Sequence, residues 1–482
     1  MRKTVPALAA MTLALLLALG VAGSIPKDAG APTAKPNIVF ILADDMRKDD
    51  LKYMPKTRSV LKAKGMSFSN AFVSNALCCP SRATIMRGQY AHNTRVWTNE
   101  NVGGPDAGGQ AYRNKGHEQD NVATRLDSAG YSTALIGKYF NGLKDKTYMP
   151  PGWDKWFATW GGYFRYDAND QGRIKHFGAD ARDYHTDVLR RKTTDFIGAS
   201  VAAGKPFFAY VAVKAPHGPA TPAPRDGHEY DNLKAPRPPS FNEQDVSDKP
   251  PWIRQLPRLS DAKKAKIDNL AEKRAESLQA VDDLVSEVVG KLRDKGVMGN
   301  TYVFFTSGNG WHEGEHRIPA KKARPYEEDV RMPLVARGPG ITAGHQAKKL
   351  ALNTDYLPTF TDLACPSSTP CNTQNWSYVP DGRSLKPVLK GNTTAWRSAI
   401  LLEAHHTPEG GATPAYSGIR TSGGTKYVEY AGGKKELYYL GRDPYELRDK
   451  YPAVKPSTGL VSRLHALQTC DGGGCRTAEN GQ

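Results

Sequence analysis

The chain has 482 residues, 39% hydrophobic and 24% charged, with a formal net charge of +17. That is ample for a buried core and points to one large domain plus a smaller one, with no internal repeat. The basic balance suits a polyanionic partner; no nucleic-acid-binding motif is present, and a sulfated polysaccharide fits an exported chain better than nucleic acid does.

Residues 1–23 read as a secretory leader. Arg2 and Lys3 supply its positive start, residues 7–21 its apolar run, and Ala22, Gly23 and Ser24 a cleavage-like end. The run is too short for a comfortable membrane span, which predicts a secreted or extracytoplasmic product. Residues 24–36, with their alanines and prolines, form a linker.

The run NIVFILA over 37–43 is continuously apolar, as expected of a strand buried on both faces. Similar runs follow at 132–136, 206–213, 301–306 and 333–336. Helical patterns lie between them. The clearest is Leu278, Val281, Val285, Val288 and Leu292 on one helix face. Strands alternating with helices predict an α/β fold, a mostly parallel sheet with helices on both faces. Residues 219–257, rich in proline and charge, form a long surface loop. Past about Trp376 the character changes. Short strands at 399–403, 426–430 and 436–440, then a helix near 458–468, predict a small antiparallel sheet with a terminal helix. The domain plan is therefore 1–23 leader, 24–36 linker, 37–375 catalytic α/β domain and 376–482 C-terminal α+β subdomain.

Polar residues stand just past these strands: Asp44 and Asp45 after the first, Lys138 after the second, His217 after the third and Asn309 after the fourth. Open parallel sheets bind ligands beyond the carboxyl ends of their strands. Loops are polar anyway, so one such residue means little, and the four together mark a candidate site.

Of the six cysteines, Cys365 pairs plausibly with Cys371 and Cys470 with Cys475, since each pair brackets a short loop in an exported chain. Cys78 and Cys79 are left over. Pro80 suits the first turn of a helix, which would put Cys78 just before that helix, at the positive end of its dipole. Arg82 lies one turn on. Cys79 reads as a small buried hydrophobe.

Cys78-Cys79-Pro80-Ser81-Arg82 resembles the signature of the formylglycine-dependent sulfatases, members of the alkaline-phosphatase-like superfamily. The resemblance extends through Asp44-Asp45, Gly137-Lys138-Tyr139, Ala215-Pro216-His217, Lys322 before Tyr326-Glu327, Arg337-Gly338-Pro339-Gly340 and Asp443-Pro444-Tyr445-Glu446-Leu447. Tyr90-Ala91-His92-Asn93 is similar to the N-acetylglucosamine-6-sulfatase branch. The resemblance implies that Cys78 is oxidised to formylglycine by a formylglycine-generating enzyme during export. It implies one calcium ion per chain on Asp44, Asp45, Asn309 and the modified Cys78. Arg82, Lys138 and Lys322 would steady the nucleophile and the sulfate oxygens, and His217 would protonate the leaving oxygen. The implied activity is hydrolysis of a sulfate ester on a carbohydrate, including 6-O-sulfated N-acetylglucosamine units of a glycosaminoglycan.

Two departures stand out. Gly308 occupies the place of an expected metal-binding aspartate, so affinity for a hard cation should fall unless water, Glu313 or Glu315 fills the gap. Phe140 stands where many arylsulfatases have histidine. The alternatives are a phosphate or phosphonate ester hydrolase of the same superfamily, and a catalytically impaired protein that binds sulfated glycans.

Overall fold

In a computed structural model of the chain, the described residues are 1, 35–99, 107–365, 376–392, 395–405 and 413–481. The leader expected over 1–23 (beyond its first residue), most of the linker and Cys371 lie outside them.

The strands, in chain order, are β1 (Asn37–Ala43), β2 (Met66–Phe68), β3 (Ala71–Phe72), β4 (Ser132–Lys138), β5 (Lys155–Trp160), β6 (Asp167–Asp170), β7 (Arg173–His176), β8 (Phe207–Ala212), β9 (Thr301–Ser307), β10 (Arg331–Met332), β11 (Leu334–Arg337), β12 (His345–Ala347), β13 (Ala351–Leu352), β14 (Ala399–Ala404), β15 (Tyr416–Thr421), β16 (Thr425–Tyr430) and β17 (Lys435–Tyr439). A ten-stranded sheet has the order β12-β2-β11-β9-β1-β8-β4-β5-β6-β7. Its central block, β9-β1-β8-β4-β5, is parallel throughout. The flanks add antiparallel pairs at β11 with β9 and β2, and at β6 with β5 and β7. The expected parallel sheet is therefore the centre of a larger mixed one.

Strand β1 explains its own sequence. Ile38, Phe40 and Leu42 point into one core, with Ala83 and Met86 of the helix Cys78–Arg87 and Phe360 of the helix Tyr356–Ala364. Val39, Ile41 and Ala43 point into the opposite core. There they meet Leu189 of the helix His185–Ala202 and Leu278, Val281 and Val285 of the helix Asp261–Asp294. Both faces are covered, so the strand cannot alternate apolar with polar residues.

A four-stranded antiparallel meander, β14-β15-β16-β17, packs with the helix Thr458–Gln468 in a third core. The helix has the bounds the sequence predicts. The Cys470–Cys475 disulfide is formed. Cys365 is also disulfide-bonded. Among the described residues, no helix is long and apolar enough to cross a membrane.

Candidate active site

Strands β1, β4, β8 and β9 run the same way, so the residues past their carboxyl ends reach one edge of the sheet. The helix Cys78–Arg87 approaches that edge with its N-terminus. Cys78 is the first residue of this helix and Pro80 the third, one step from the expected placement. The difference costs the helix nothing, because no N–H of the first turn has an intrahelical partner and Pro80 therefore removes none.

Around Cys78 the expected residues converge. Its Sγ donates to Asp44 Oδ1 at 3.4 Å and accepts from Lys322 Nζ at 3.0 Å. Lys322 Nζ also donates to Asp45 Oδ1 at 2.7 Å. Lys138 Nζ donates to Asp44 Oδ2 at 2.5 Å, and Arg82 Nη2 lies 3.7 Å from the same oxygen. Arg82 Nη1 donates to Lys138 O at 2.8 Å, which ties the helix to the end of β4. Asn309 Nδ2 donates to Asp45 Oδ1 at 2.7 Å. His217 Nε2 lies 3.6 Å from Asp45 Oδ2, while its Nδ1 is held by Gly218 O at 2.8 Å. The catalytic residues named from the sequence, Cys78, Arg82, Lys138, His217 and Lys322, thus share one centre with Asp44, Asp45 and Asn309.

Backbone demands explain some neighbours. Asp45 has φ 63°, a left-handed conformation that aspartate tolerates better than most residues. Gly137 has φ 115°, and a Cβ there would lie 2.1 Å from Ala212 O, so no side chain fits before Lys138.

The electrostatics favour ions. Burial pushes the Asp44 carboxyl up, but Lys138 and Arg82 outweigh it and hold the group well below the ordinary carboxylate range. Asp45 is buried too, and Lys322 and His217 bring it down. Burial works against a charged His217, yet Asp45 leaves its pKa raised. Burial and Asp44 push the Cys78 thiol up, and Lys138 with Lys322 leave it lowered overall. Cys79 behaves oppositely. Burial drives it up to about 12, as befits a core residue.

A divalent cation fits this chemistry. Asp45 Oδ2 and Asn309 Oδ1 are buried with no hydrogen-bond partner. With the ionised Asp44 beside them they make a donor set of hard oxygens. The carboxylates offered by the sequence as replacements for position 308 are engaged elsewhere. Glu315 Oε1 pairs with Arg47 at 2.9 Å, and Glu313 Oε1 with Arg274 at 3.0 Å.

Sequence reasoning missed Arg274. From the long helix Asp261–Asp294, its Nη2 donates to Asp45 O and to Asp50 Oδ2, each at 2.8 Å. Its Nη1 donates to Pro216 O at 3.4 Å. It therefore braces both the Asp45 turn and the His217 loop. It stands in a charge-rich run, Glu272-Lys273-Arg274, where nothing distinguishes it from a solvent-facing residue. Arg87, at the end of the same helix as Cys78, lies 3.8 Å from the Tyr378 ring and donates to Asp120 O.

Comparison with known proteins agrees with this geometry. The family model "Sulfatase" matches residues 36–366, and "N-sulphoglucosamine sulphohydrolase, C-terminal" matches 314–468. The N-acetylglucosamine-6-sulfatase of Capra hircus is 32% identical over 95% of this chain and 87% of its own length. That of Homo sapiens is 32% identical over 93% and 87%. A protein solved in complex with its substrate D-glucosamine-2-N,6-O-disulfate superposes with a TM-score of 0.75 at 23% identity, over 93% of this chain and 99% of that one. This likeness establishes the alkaline-phosphatase-like fold. With a family model spanning most of the chain and relatives matching nearly all of it, the chain belongs to the sulfatase family.

Proposed function

We propose that this sulfuric ester hydrolase removes sulfate from 6-O-sulfated amino-sugar units of a carbohydrate, with Cys78 as formylglycine and one calcium ion on Asp44, Asp45 and Asn309. The observation that carries the reading is Lys322 Nζ joining Cys78 Sγ, at 3.0 Å, to Asp45 Oδ1, at 2.7 Å. It couples the candidate nucleophile directly to a candidate metal ligand. The substrate class rests on the N-acetylglucosamine-6-sulfatase relatives.

Formylglycine would supply an aldehyde whose hydrate offers one hydroxyl to attack sulfur and a second to release sulfate. A bound cation would gather the sulfate oxygens and acidify the attacking hydroxyl. Cys78 Sγ marks where the hydrate oxygens would stand. The chain's own residues supply the rest. Two carboxylates face Arg82, Lys138, Lys322 and a protonatable His217, and that positive excess suits an anionic ester. Nδ1 of His217, fixed on Gly218 O, leaves Nε2 to deliver a proton to the departing alcohol oxygen. The surrounding burial keeps these charges poorly screened.

Export through the 1–23 leader and modification by a formylglycine-generating enzyme belong to the same proposal. It is in keeping with an extracellular sulfatase homolog of Drosophila melanogaster, 34% identical over 77% of this chain. So does the division into a catalytic part, 37–375, and a C-terminal part, 376–482.

Mass spectrometry of the peptide containing Cys78, from protein made in its native host, tests the reading. The expected result is the mass loss of thiol converted to aldehyde, together with turnover of an aryl sulfate. An unmodified thiol in active protein would overturn the nucleophile assignment.

A further inference from the structure

Beyond the catalytic edge, the structure holds a basic groove with no part in the chemistry above. A cavity of about 300 Å³ opens beside Lys48, three residues past Asp45, and its walls include Lys52, Arg58, Lys62 and Gln346. A second cavity of about 500 Å³ shares Arg58 and Lys62 with the first and continues to Gly344. Strand pairing gives the groove its direction. β2 is antiparallel to β11, which is antiparallel to β9, so β2 runs with the central block. Ser69, just past the end of β2, is therefore at the catalytic edge, and Gly344, just before β12, is at the opposite one. The two cavities form a single trough along the flank of the sheet.

The charge in this trough is poorly compensated. Lys52, Arg58 and Lys62 are exposed. Arg58 and Lys62 begin and end one π-helical turn, and among the described residues their side chains have neither a hydrogen bond nor an ion pair. Like charges at this spacing destabilise a helix slightly, so the pair is a cost to the fold. The acid on the wall, Asp49, is shared between Arg47 at 3.1 Å and Lys52 at 4.0 Å, which leaves Arg58 and Lys62 without a carboxylate partner among the described residues. Burial, and after it the neighbouring Arg331, pulls the Lys48 ammonium down to about 8 against Glu327 and Asp49.

We infer that this groove is a second binding site, which holds a sulfated polysaccharide strand whose sulfated unit is presented at the catalytic edge. The inference rests on the sulfated-carbohydrate reading above and adds that the substrate is a polymer. The walls favour a glycan over other polyanions. The aromatic residue lining either cavity, Phe68, is 3% exposed, so bases would find no stacking platform. Among the described residues, none of the exposed large hydrophobic side chains lies there to enter a lipid surface. Ser59, Ser67, Ser69 and Gln346 offer hydrogen bonds to hydroxyls and sulfates between the cations.

The test is the double substitution Arg58→Glu with Lys62→Glu in the full protein, probed with immobilised heparin and with a small aryl sulfate. The variant should elute from heparin at lower salt, with the slope of log affinity against log salt reduced by about two and affinity lower by about tenfold or more. Its kcat/KM for the aryl sulfate should equal that of the parent. Unchanged heparin elution would overturn the groove, whatever the catalytic result. Duplex DNA bound as tightly as heparin, with the same loss in the variant, would overturn the glycan assignment. Heparin affinity lost in the variant, alongside a parent protein that turns over no sulfate ester, would leave the groove standing and sink the sulfatase reading instead.

Discussion

Position 308 lies between two ligand-bearing segments. Its N–H donates to Ala43 O at 3.0 Å, and its carbonyl accepts from Ser81 Oγ. The backbone is thus pinned to the end of β1 and to the nucleophile helix, with Asn309 and its unpartnered Oδ1 next in line. A Cβ on Gly308 would meet only Ala43 O, at 3.8 Å, which is ordinary contact. The backbone therefore leaves room for the Cβ of an aspartate, whose carboxylate would add a hard oxygen donor to a set with two carboxylates. Gly308→Asp should raise calcium affinity by at least tenfold, about 1.4 kcal/mol, measured by isothermal titration. Equal affinity in parent and variant would show that no cation sits beside this position. The residues of this centre were legible because each follows an apolar run or sits in a compact motif. Asp44, Asp45 and Asn309 announce themselves as polar residues at strand ends, and Cys78 by its Pro-Ser-Arg sequel. The engagement of Glu313 and Glu315 by arginines was not legible, since a carboxylate's partner is set by three-dimensional packing.

At the level of elements, the long helix Asp261–Asp294 does more than cover the sheet. Leu278, Val281, Val285 and Leu292 are fully buried against the β1 face. Earlier in the same helix, Arg274 turns inward to the Asp45 carbonyl, Pro216 O and the Asp50 and Glu313 carboxylates. The apolar stripe fixes the helix, and the fixed helix sets the guanidinium. Arg274→Met keeps most of the side chain's bulk but leaves buried Asp50 without its ion pair and Glu313 with only the longer 3.8 Å contact to Arg47, a change worth about 3 kcal/mol of stability. It also frees the Asp45 turn, whose left-handed residue loses its brace. Urea unfolding should show the lower midpoint, and titration should show weaker calcium binding. Arg274→Lys should restore part of the stability but less of the calcium affinity, because one ammonium cannot span the same acceptors. A variant with lowered stability and unchanged calcium binding would reduce Arg274 to a packing role. In the large sheet, β1, β4, β8, β9 and β11 were legible from their apolar runs, whereas the parallel β5 and the flanking β2, β6, β7 and β12 were not. β6 reads Asp-Ala-Asn-Asp, a turn-like string, yet it pairs with β5 and β7 and sets Asp170 among Lys155, Lys175 and Lys192. Those three ammoniums hold Asp170 well below the usual range against the effect of burial. Tertiary charge pairing here overrides β-propensity. β15 was missed for a related reason, its short run being split by Ser417 and Gly418.

Across the whole molecule, the long loop after β8 is tied to the segment that follows β17. Lys249 Nζ donates to Glu446 O at 2.6 Å, and Asp449 N–H donates to Asp248 Oδ2 at 2.6 Å. Between these ties, Glu243 faces His316, with Oε2 2.7 Å from Nδ1. Burial raises Glu243 to about 8, opposed by Lys249 and Arg317 and reinforced by Asp248 and Asp443. Burial also raises Asp449 to about 7 and holds His316 well below its ordinary value. The pair is therefore neutral at physiological pH, with a protonated Glu243 donating to His316 Nδ1. In the unfolded chain both carboxyls would release their protons near pH 4. Through these two carboxyls the folded state binds more protons than the unfolded state between about pH 4 and 8; unprotonated His316 opposes this below the ordinary histidine value, but the two carboxyls outnumber it, so stability falls as pH rises through that window. Below it the opposite applies. Half-buried Glu327 is brought down to about 2 by Lys426 and Arg420 against the effect of desolvation, so its contribution is lost as pH falls from about 4.5 toward 2. Maximal stability should consequently lie in mild acid, near pH 5. Calorimetric scans should show the melting temperature falling by several degrees from pH 5 to 8. Glu243→Gln, which keeps the hydrogen bond without the proton, should flatten that slope. A variant with the parent's full slope would mean that the junction does not carry the proton linkage.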